Sequence, residues 1–192
     1  SCDNLQGNGH IARQMLLSFA QLKDPALAAW IAEHVSFPNC MVDRITPMTT
    51  DEDRTQILEE FGVDDGWPVV TEPFRQWVIE EHFCAGRPPW EEVGVQMVSD
   101  VRPFETMKIR LLNAGHSALG YLGYLAGYRF IHEIANDGEF RAYLQNLWDQ
   151  EVSPLLPELP GIDLASYKHT LLERFSNPYI KDQALRICMD GS

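Results

Sequence analysis

Basic residues are scarce in this 192-residue chain, and the deficit excludes several classes of partner. The chain has 15 Lys and Arg against 28 Asp and Glu, which gives a formal net charge of −13. Such a chain repels phosphate backbones and anionic membrane surfaces, and no cluster of Lys and Arg overrides the repulsion. The composition therefore predicts that neither nucleic acid nor a membrane surface is a partner.

Cysteines and long hydrophobic runs are scarce as well. The four cysteines, at positions 2, 40, 84 and 188, form no Cys-x-x-Cys pair. This usage is typical of inert thiols in a reducing compartment, and no signal peptide is recognisable, so we expect a cytoplasmic protein. The most apolar stretch, residues 111–131, contains Asn113, His116 and Arg129. Those residues favour a buried helix over a membrane span.

Three motifs of enzyme chemistry are missing. Apart from His82-x-Cys84, the six histidines lack the spacing of metal ligands. His132-Glu133 does not continue into His-Glu-x-x-His, so we expect no metal. No Gly-x-Ser-x-Gly elbow supports a hydrolase. A dinucleotide fold needs a strand, a glycine-rich turn and a helix, but Gly120, Gly123 and Gly127 lie in a helical pattern. We therefore expect the nucleotide-binding Rossmann half to be absent from this chain.

The hydrophobic pattern predicts one α+β unit that is mostly α-helical. Strands are expected at 40–46, 69–71, 77–79 and 93–98, in a small antiparallel sheet over about residues 40–98. Asn8, Asp24 and Thr50 are expected to cap helices, and Gly62 to end one. Helical periodicity covers residues 11–22, 25–37, 51–61, 103–126, 128–136, 138–152, 163–176 and 179–189.

The stretch 103–118 places an acid, an amine, an imidazole and a carboxamide on one broad side of a helix. At about 100° per residue from Lys108, Glu105 falls near 60°, His116 near 80° and Asn113 near 140°. Small residues fill much of the remaining surface, which lets neighbouring elements pack closely. Burying such polar groups is costly unless each has a partner or a function. Spacing alone leaves two interpretations open: a catalytic group, or a surface Glu–Lys pair with a structural Asn and His.

Lys108-x4-Asn113-x2-His116 resembles the signature of the polyol-specific long-chain dehydrogenases, the family of mannitol dehydrogenase and fructuronate reductase. Further blocks match that family in order and spacing: Ser-Cys-Asp-Asn-Leu at 1–5, Met-Val-Asp-Arg-Ile-Thr-Pro at 41–47, and Asn177-Pro178 with Arg186-Ile187 and Asp190-Gly191-Ser192. The resemblance covers the chain end to end. It implies that residues 1–192 are a C-terminal substrate and catalytic domain, truncated at both ends relative to the family.

The resemblance implies four catalytic residues. Lys108 would be the general base, because desolvation can bring the pKa of an amine well below its reference of about 10.4. Asn113 and Asn4 would donate hydrogen bonds to the alcohol oxygen as negative charge develops there. Glu105 would relay the proton between the lysine and solvent. Without the resemblance, the alternative roles are an Asx turn for Asn4 and a buried core amide for Asn113.

Three further residues would contact the substrate. The resemblance implies that His116 binds a substrate hydroxyl, that Arg186 anchors the substrate and that Asp43 is an active-site carboxylate. Without the resemblance, membership of an ordinary ion pair is the alternative role of Asp43 and of Arg186. Cofactor-binding residues are not assigned.

The expected activity is that of a metal-independent, NAD(P)-dependent oxidoreductase of carbohydrate metabolism, which interconverts a mannitol-like sugar alcohol and a ketose. Its expected partner is this small-molecule substrate, and either a monomer or a dimer is plausible. A uronate reductase of the same family, acting on fructuronate or tagaturonate, is the alternative. A non-catalytic helical binding domain is an alternative of another class. NAD or NADP would be bound mainly by the missing N-terminal domain, so the chain alone would be inactive.

Overall fold

The computed structural model of the chain describes residues 1–159 and 161–189, which form two units. The first unit comprises residues 1–43 and 75–106, and the second comprises 44–74 with the described part of 107–192. The strands are β1 (Cys40–Asp43), β2 (Gln76–Glu80) and β3 (Gln96–Val98). The α-helices are α1 (Asn8–Lys23), α2 (Pro25–His34), α3 (Asp51–Phe61), α4 (Arg102–Met107), α5 (Ala114–Leu125), α6 (Ile131–Asn136), α7 (Gly138–Asn146), α8 (Leu164–Phe175) and α9 (Ala184–Met189).

Short π-helical and 3-10 segments complete the helical structure. The π-helical segments are Lys108–Asn113 and Leu147–Val152, and the 3-10 segments are Trp90–Val93 and Ser153–Leu155. Among the described residues, no helix combines the length and the hydropathy that a membrane span requires. Three predicted helices are shorter than expected: 25–37 ends at His34, 128–136 becomes helical only at Ile131, and 179–189 only at Ala184.

Local capping chemistry determines where α2 and α3 begin and end, as predicted. The Asp24 carboxylate accepts a hydrogen bond from the Ala26 N–H at 2.8 Å, and Pro25 occupies the first turn of α2. Thr50 and Asp53 form a reciprocal capping box at the start of α3. Gly62 ends α3 in a left-handed conformation, with φ of 66°, which favours glycine.

Asn8 has a different role from the predicted helix cap. Gly7 is the N-cap of α1, and Asn8 is buried in its first turn. The Asn8 Nδ2 group donates to the Cys40 carbonyl at 2.6 Å, and the Cys40 N–H donates to Asn8 Oδ1 at 3.2 Å. This amide therefore joins α1 to β1.

Burial, together with the nearby Cys2, raises the pKa of the Cys40 thiol and keeps it protonated.

The sheet of the first unit is mixed, so the prediction of an antiparallel sheet is wrong for one of its two pairings. Its order is β1-β2-β3; β1 and β2 are antiparallel, whereas β2 and β3 are parallel. A long connection with the 3-10 turn Trp90–Val93 separates β2 from β3. Such a connection can return the chain to the same end of the sheet, which a short hairpin cannot do.

No strand forms at the predicted position 69–71. Pro68 and Pro73 flank this segment, and proline cannot donate to a strand ladder. The segment instead leads to Glu72, a carboxylate that is 1% exposed in the second unit. Arg174 of α8 donates from its Nε to Glu72 Oε2 at 3.0 Å and from its second terminal nitrogen to Oε1 at 2.7 Å. The Ile45 N–H also donates to Glu72 Oε1, at 2.6 Å, so this ion pair fixes residues 44–74 to α8.

Glycines on α5 allow the close packing that the sequence predicts. A Cβ at Gly115 would lie 2.9 Å from Trp148 Nε1 and 3.2 Å from a Leu144 methyl. A Cβ at Gly120 would lie 2.9 Å from an Ile187 methyl. The fully buried side chains of this core include Trp148, Leu111, Leu119, Ile134, Leu144 and Leu171.

Substitution of Gly115 by alanine should destabilise the protein by about 1–3 kcal/mol, because the added methyl group overpacks the Trp148 ring. The midpoint of urea denaturation of the full-length protein measures the effect. Gly138→Ala is the matched control, since a Cβ there meets nothing within 4 Å. Equal midpoints for the two variants would contradict the packing assigned to Gly115.

Candidate active site

A π-helical turn interrupts the helix that carries the Lys108–His116 motif. The described chain passes from α4 into the π-helical segment Lys108–Asn113 and then into α5. The prediction of one uninterrupted α-helix over 103–126 is therefore wrong. The Ala114 N–H donates to the Ile109 carbonyl, five residues back, so side chains beyond the turn are rotated from the 100° spacing. Single π-helical turns are rare in proteins, and those that occur often lie at functional sites.

Lys108 and Asn113 are the first and last residues of this turn. Lys108 is 8% exposed, so it is not the surface lysine of the simpler interpretation. Asn113 is exposed, so it is not a core amide. Leu111 and Leu112 between them belong to the hydrophobic core of the second unit. The π-turn thus holds a buried amine and an accessible carboxamide on one anchored segment.

Trp148 supports the π-turn, and sequence reasoning missed it. Its indole Nε1 donates to the Leu111 carbonyl at 3.0 Å, and the side chain is fully buried. Trp148 belongs to the second π-helical segment, Leu147–Val152. The indole thus satisfies a carbonyl of the turn, although Trp148 is 37 residues away in sequence. No local sequence pattern indicates this contact.

His116 and Arg186 meet at one carboxylate, that of Asp182. His116 Nε2 lies 3.3 Å from Asp182 Oδ2, and its ring stacks on Phe175 with centroids 4.7 Å apart. Arg186 donates from Nε to Asp182 Oδ1 at 2.9 Å and from its second terminal nitrogen to Oδ2 at 2.9 Å. Sequence reasoning missed Asp182, although its four-residue spacing from Arg186 is that of a helical ion pair.

Asn4, Asp43 and Glu105 belong to the first unit. Glu105, on α4, is 4% exposed, and its Oε1 accepts a hydrogen bond from the Gly7 N–H at 3.0 Å. Its Oε2 is buried without a hydrogen-bond partner in residues 1–159 and 161–189. Asp43 is the last residue of β1 and is 4% exposed, whereas Asn4 is exposed in a bend before α1. The roles assigned to these residues stay predictions.

The metal prediction is untested. Across the described ranges 1–159 and 161–189, no three or more His, Cys, Asp or Glu side chains are grouped to hold a metal ion. Residues Asp190-Gly191-Ser192 of the family resemblance lie outside the described residues.

Comparison with protein-family models identifies the chain. Residues 1–92 match the model of the mannitol dehydrogenase Rossmann domain. Residues 100–192 match the model of the mannitol dehydrogenase C-terminal domain. Both models describe one class of two-domain dehydrogenases. The chain belongs to the mannitol dehydrogenase family.

The expectation that the Rossmann half is absent is wrong, because residues 1–92 match that domain. The glycine-rich turn on which the expectation depended marks only the first strand–helix turn of a dinucleotide fold. A segment from elsewhere in the domain need not contain this turn. A wholly missing nucleotide-binding domain is therefore ruled out, whereas the inactivity of the chain alone stays a prediction.

Curated relatives and solved structures agree with this family. The chain is 56% identical to the mannitol 2-dehydrogenases of Phaeosphaeria nodorum and Aspergillus fumigatus over its whole length, but spans only 34% and 39% of theirs. A Pseudomonas fluorescens mannitol 2-dehydrogenase, in a ternary complex with NAD and D-mannitol, is 57% identical with a TM-score of 0.85. That match covers 98% of this chain and 38% of the other. A substrate-free D-sorbitol dehydrogenase is 46% identical with a TM-score of 0.91, over 97% of this chain and 39% of the other.

Proposed function

We propose that the protein containing this chain is an NAD(P)-dependent polyol dehydrogenase of the mannitol 2-dehydrogenase type, which interconverts a sugar alcohol and a ketose. The observation that carries the proposal is the similarity, over 98% of the chain, to a mannitol 2-dehydrogenase in complex with NAD and D-mannitol. The buried amine of Lys108 supports it, because oxidation of a secondary alcohol requires a base for the hydroxyl proton.

Lys108 is the general base of this mechanism. Its side chain is only 8% exposed. Desolvation in general disfavours the charged form of an amine, which is the condition under which a lysine can act as a base. A bound nicotinamide supplies the hydride acceptor. The amine takes the hydroxyl proton directly, so the chemistry of this residue set does not require a metal-bound water. A buried base of this kind therefore fits a hydride-accepting cofactor.

Asn113 and Asn4 donate hydrogen bonds to the substrate oxygen. Their amide groups are uncharged, so they stabilise a developing alkoxide without adding a charge beside the lysine. Glu105 passes the proton on toward solvent. Gly7 holds one oxygen of its carboxylate by a 3.0 Å hydrogen bond, which fixes the orientation of the other, buried oxygen.

An assay of the full-length protein tests the proposal. Mannitol with NAD, and fructose with NADH or NADPH, should give turnover, whereas fructuronate should be a poor substrate. Dialysis against a chelator should leave the rate unchanged, because the proposed base is an amine. Absence of turnover with all these pairs would exclude the function, and a loss of rate that zinc restores would exclude the metal-free mechanism.

Alanine substitutions at Asn4 and Asn113 should each lower kcat by about 10²–10³-fold and change KM far less, because the bonds strengthen as charge develops. Steady-state kinetics of the single and double variants measure the effect. The two losses should be less than additive if both donors serve one oxygen. A change confined to KM would instead assign these residues to substrate binding.

A further inference from the structure

Asp182 is a buried carboxylate that two proposed substrate-binding residues share. Its side chain is 3% exposed, and Arg186 holds it through three hydrogen bonds of 2.7–2.9 Å. The oxygen that accepts one of these bonds, Oδ2, also lies 3.3 Å from His116 Nε2. The carboxylate therefore contacts both the cation and the imidazole.

The backbone around Asp182 is fixed on both sides. The Ile131 N–H donates to the Asp182 carbonyl at 3.0 Å, and the Ala184 N–H donates to the Arg129 carbonyl at 2.9 Å. Phe130 and Gln183 form an antiparallel bridge between the same two segments. These bonds restrain the main chain at Asp182 and so help to keep its carboxylate next to Arg186.

We propose that Asp182 is a specificity-determining residue that makes the Arg186 site select neutral sugars over uronates. This inference rests on the proposed function. Arg186 alone would attract the carboxylate of a uronate. With Asp182 bound to it, the pair carries no net charge, and the Asp182 carboxylate repels a second carboxylate at close range in a partly buried, low-dielectric site. A neutral polyol or ketose meets no such repulsion.

The Asp182–Arg186 ion pair should weaken the binding of substrate hydroxyl groups little. A bidentate ion pair fixes the plane of the guanidinium, which is useful for a directional hydrogen bond to a hydroxyl. The stacking of His116 on Phe175, together with its contact to Asp182, likewise fixes the imidazole. Asp182 thus neutralises the Arg186 guanidinium while positioning two side chains that can bind hydroxyl groups.

The test compares fructose with fructuronate in the full-length protein. In the wild type, kcat/KM for fructose should exceed that for fructuronate by at least about 100-fold. In Asp182→Asn this ratio should fall by about tenfold or more, because the carboxylate that repels a uronate has been removed. Glu173→Gln, which removes one exposed carboxylate of the same unit, should leave the ratio within about twofold of the wild type.

A second variant, Arg186→Gln, should change the ratio of the two kcat/KM values in the opposite direction. It leaves the Asp182 carboxylate without its cation, so fructuronate should lose more kcat/KM than fructose and the ratio should rise. A purely structural role for Asp182 would lower stability and total activity in both variants without moving the ratio in opposite directions. Melting temperatures of all variants identify any that fail to fold. If Asp182→Asn does not fold, the ratios of the wild type and of Arg186→Gln test the inference.

The outcomes separate this inference from the proposed function. A wild type that reduces fructose and fructuronate equally well would overturn the role of Asp182 but leave the dehydrogenase proposal standing. An unchanged ratio in a folded Asp182→Asn variant would do the same. Absence of turnover with every polyol, ketose and uronate would overturn the proposed function, and this inference with it.

Discussion

Replacement of Lys108 by alanine should lower kcat of the full-length protein by about 10²–10⁴-fold, which is the range that a general base contributes. The side chain is 8% exposed at the start of the π-turn, and alanine offers no group that can accept the hydroxyl proton. Affinity for the nucleotide should be nearly unchanged, because the proposed role of the amine is proton transfer. Steady-state kinetics and a fluorescence titration with NADH measure the two quantities.

Lys168→Ala is the matched control for this experiment. Lys168 lies in the same unit, but its ammonium group forms an ion pair with Asp149, whose side chain is 54% exposed. Its removal should leave kcat close to that of the wild type. If Lys108→Ala keeps more than about a tenth of the wild-type kcat, the barrier has risen by less than about 1.4 kcal/mol, and Lys108 is not the base.

Features that depend on a few neighbouring residues could be predicted from the sequence. The caps at Asp24 and Thr50 and the stop at Gly62 depend on side chains and backbone groups within about one helical turn. The Lys108–His116 motif is similarly local, and with the neighbouring blocks it is specific enough to indicate the family. The structure agrees with this local information.

The π-turn at Lys108–Asn113 could not be predicted in this way. The helical-wheel argument assumes about 100° per residue throughout, and one backbone bond of five-residue span changes the direction of every later side chain. The bond that supports the turn comes from Trp148, which is distant in sequence and becomes a neighbour only through tertiary packing. The helical wheel therefore could not give the directions of Asn113 and His116, which come after the start of the π-turn.

The sheet and the Rossmann assignment failed for a related reason. Strand composition indicates where β2 and β3 lie but not the path of the chain between them, and that path determines whether they pair in parallel. The search for a nucleotide-binding domain relied on one local motif, although residues 1–92 match the domain without it. Asp182 was missed because an aspartate near an arginine is common, and its burial is a tertiary property.

Replacement of Arg174 by alanine should destabilise the protein by about 3–5 kcal/mol, the largest stability effect that we expect of a single substitution. Arg174 and Glu72 are 102 residues apart, and their side chains are only 5% and 2% exposed. The Arg174 guanidinium also lies 3.9 Å from the centroid of the Phe74 ring. Without the arginine, the Glu72 carboxylate would remain buried with an uncompensated charge. The midpoint of urea denaturation of the full-length protein measures the loss.

Two further variants separate a buried charge from ordinary loss of packing. Arg102→Ala removes an exposed ion pair with Asp100, at 77% and 38% side-chain exposure, and should change stability by less than about 1 kcal/mol. Adding Glu72→Gln to Arg174→Ala should restore part of the lost stability, because it removes the uncompensated charge while keeping an acceptor for the Ile45 N–H. If the double variant is less stable than Arg174→Ala, the cost arises from the cavity and not from the charge.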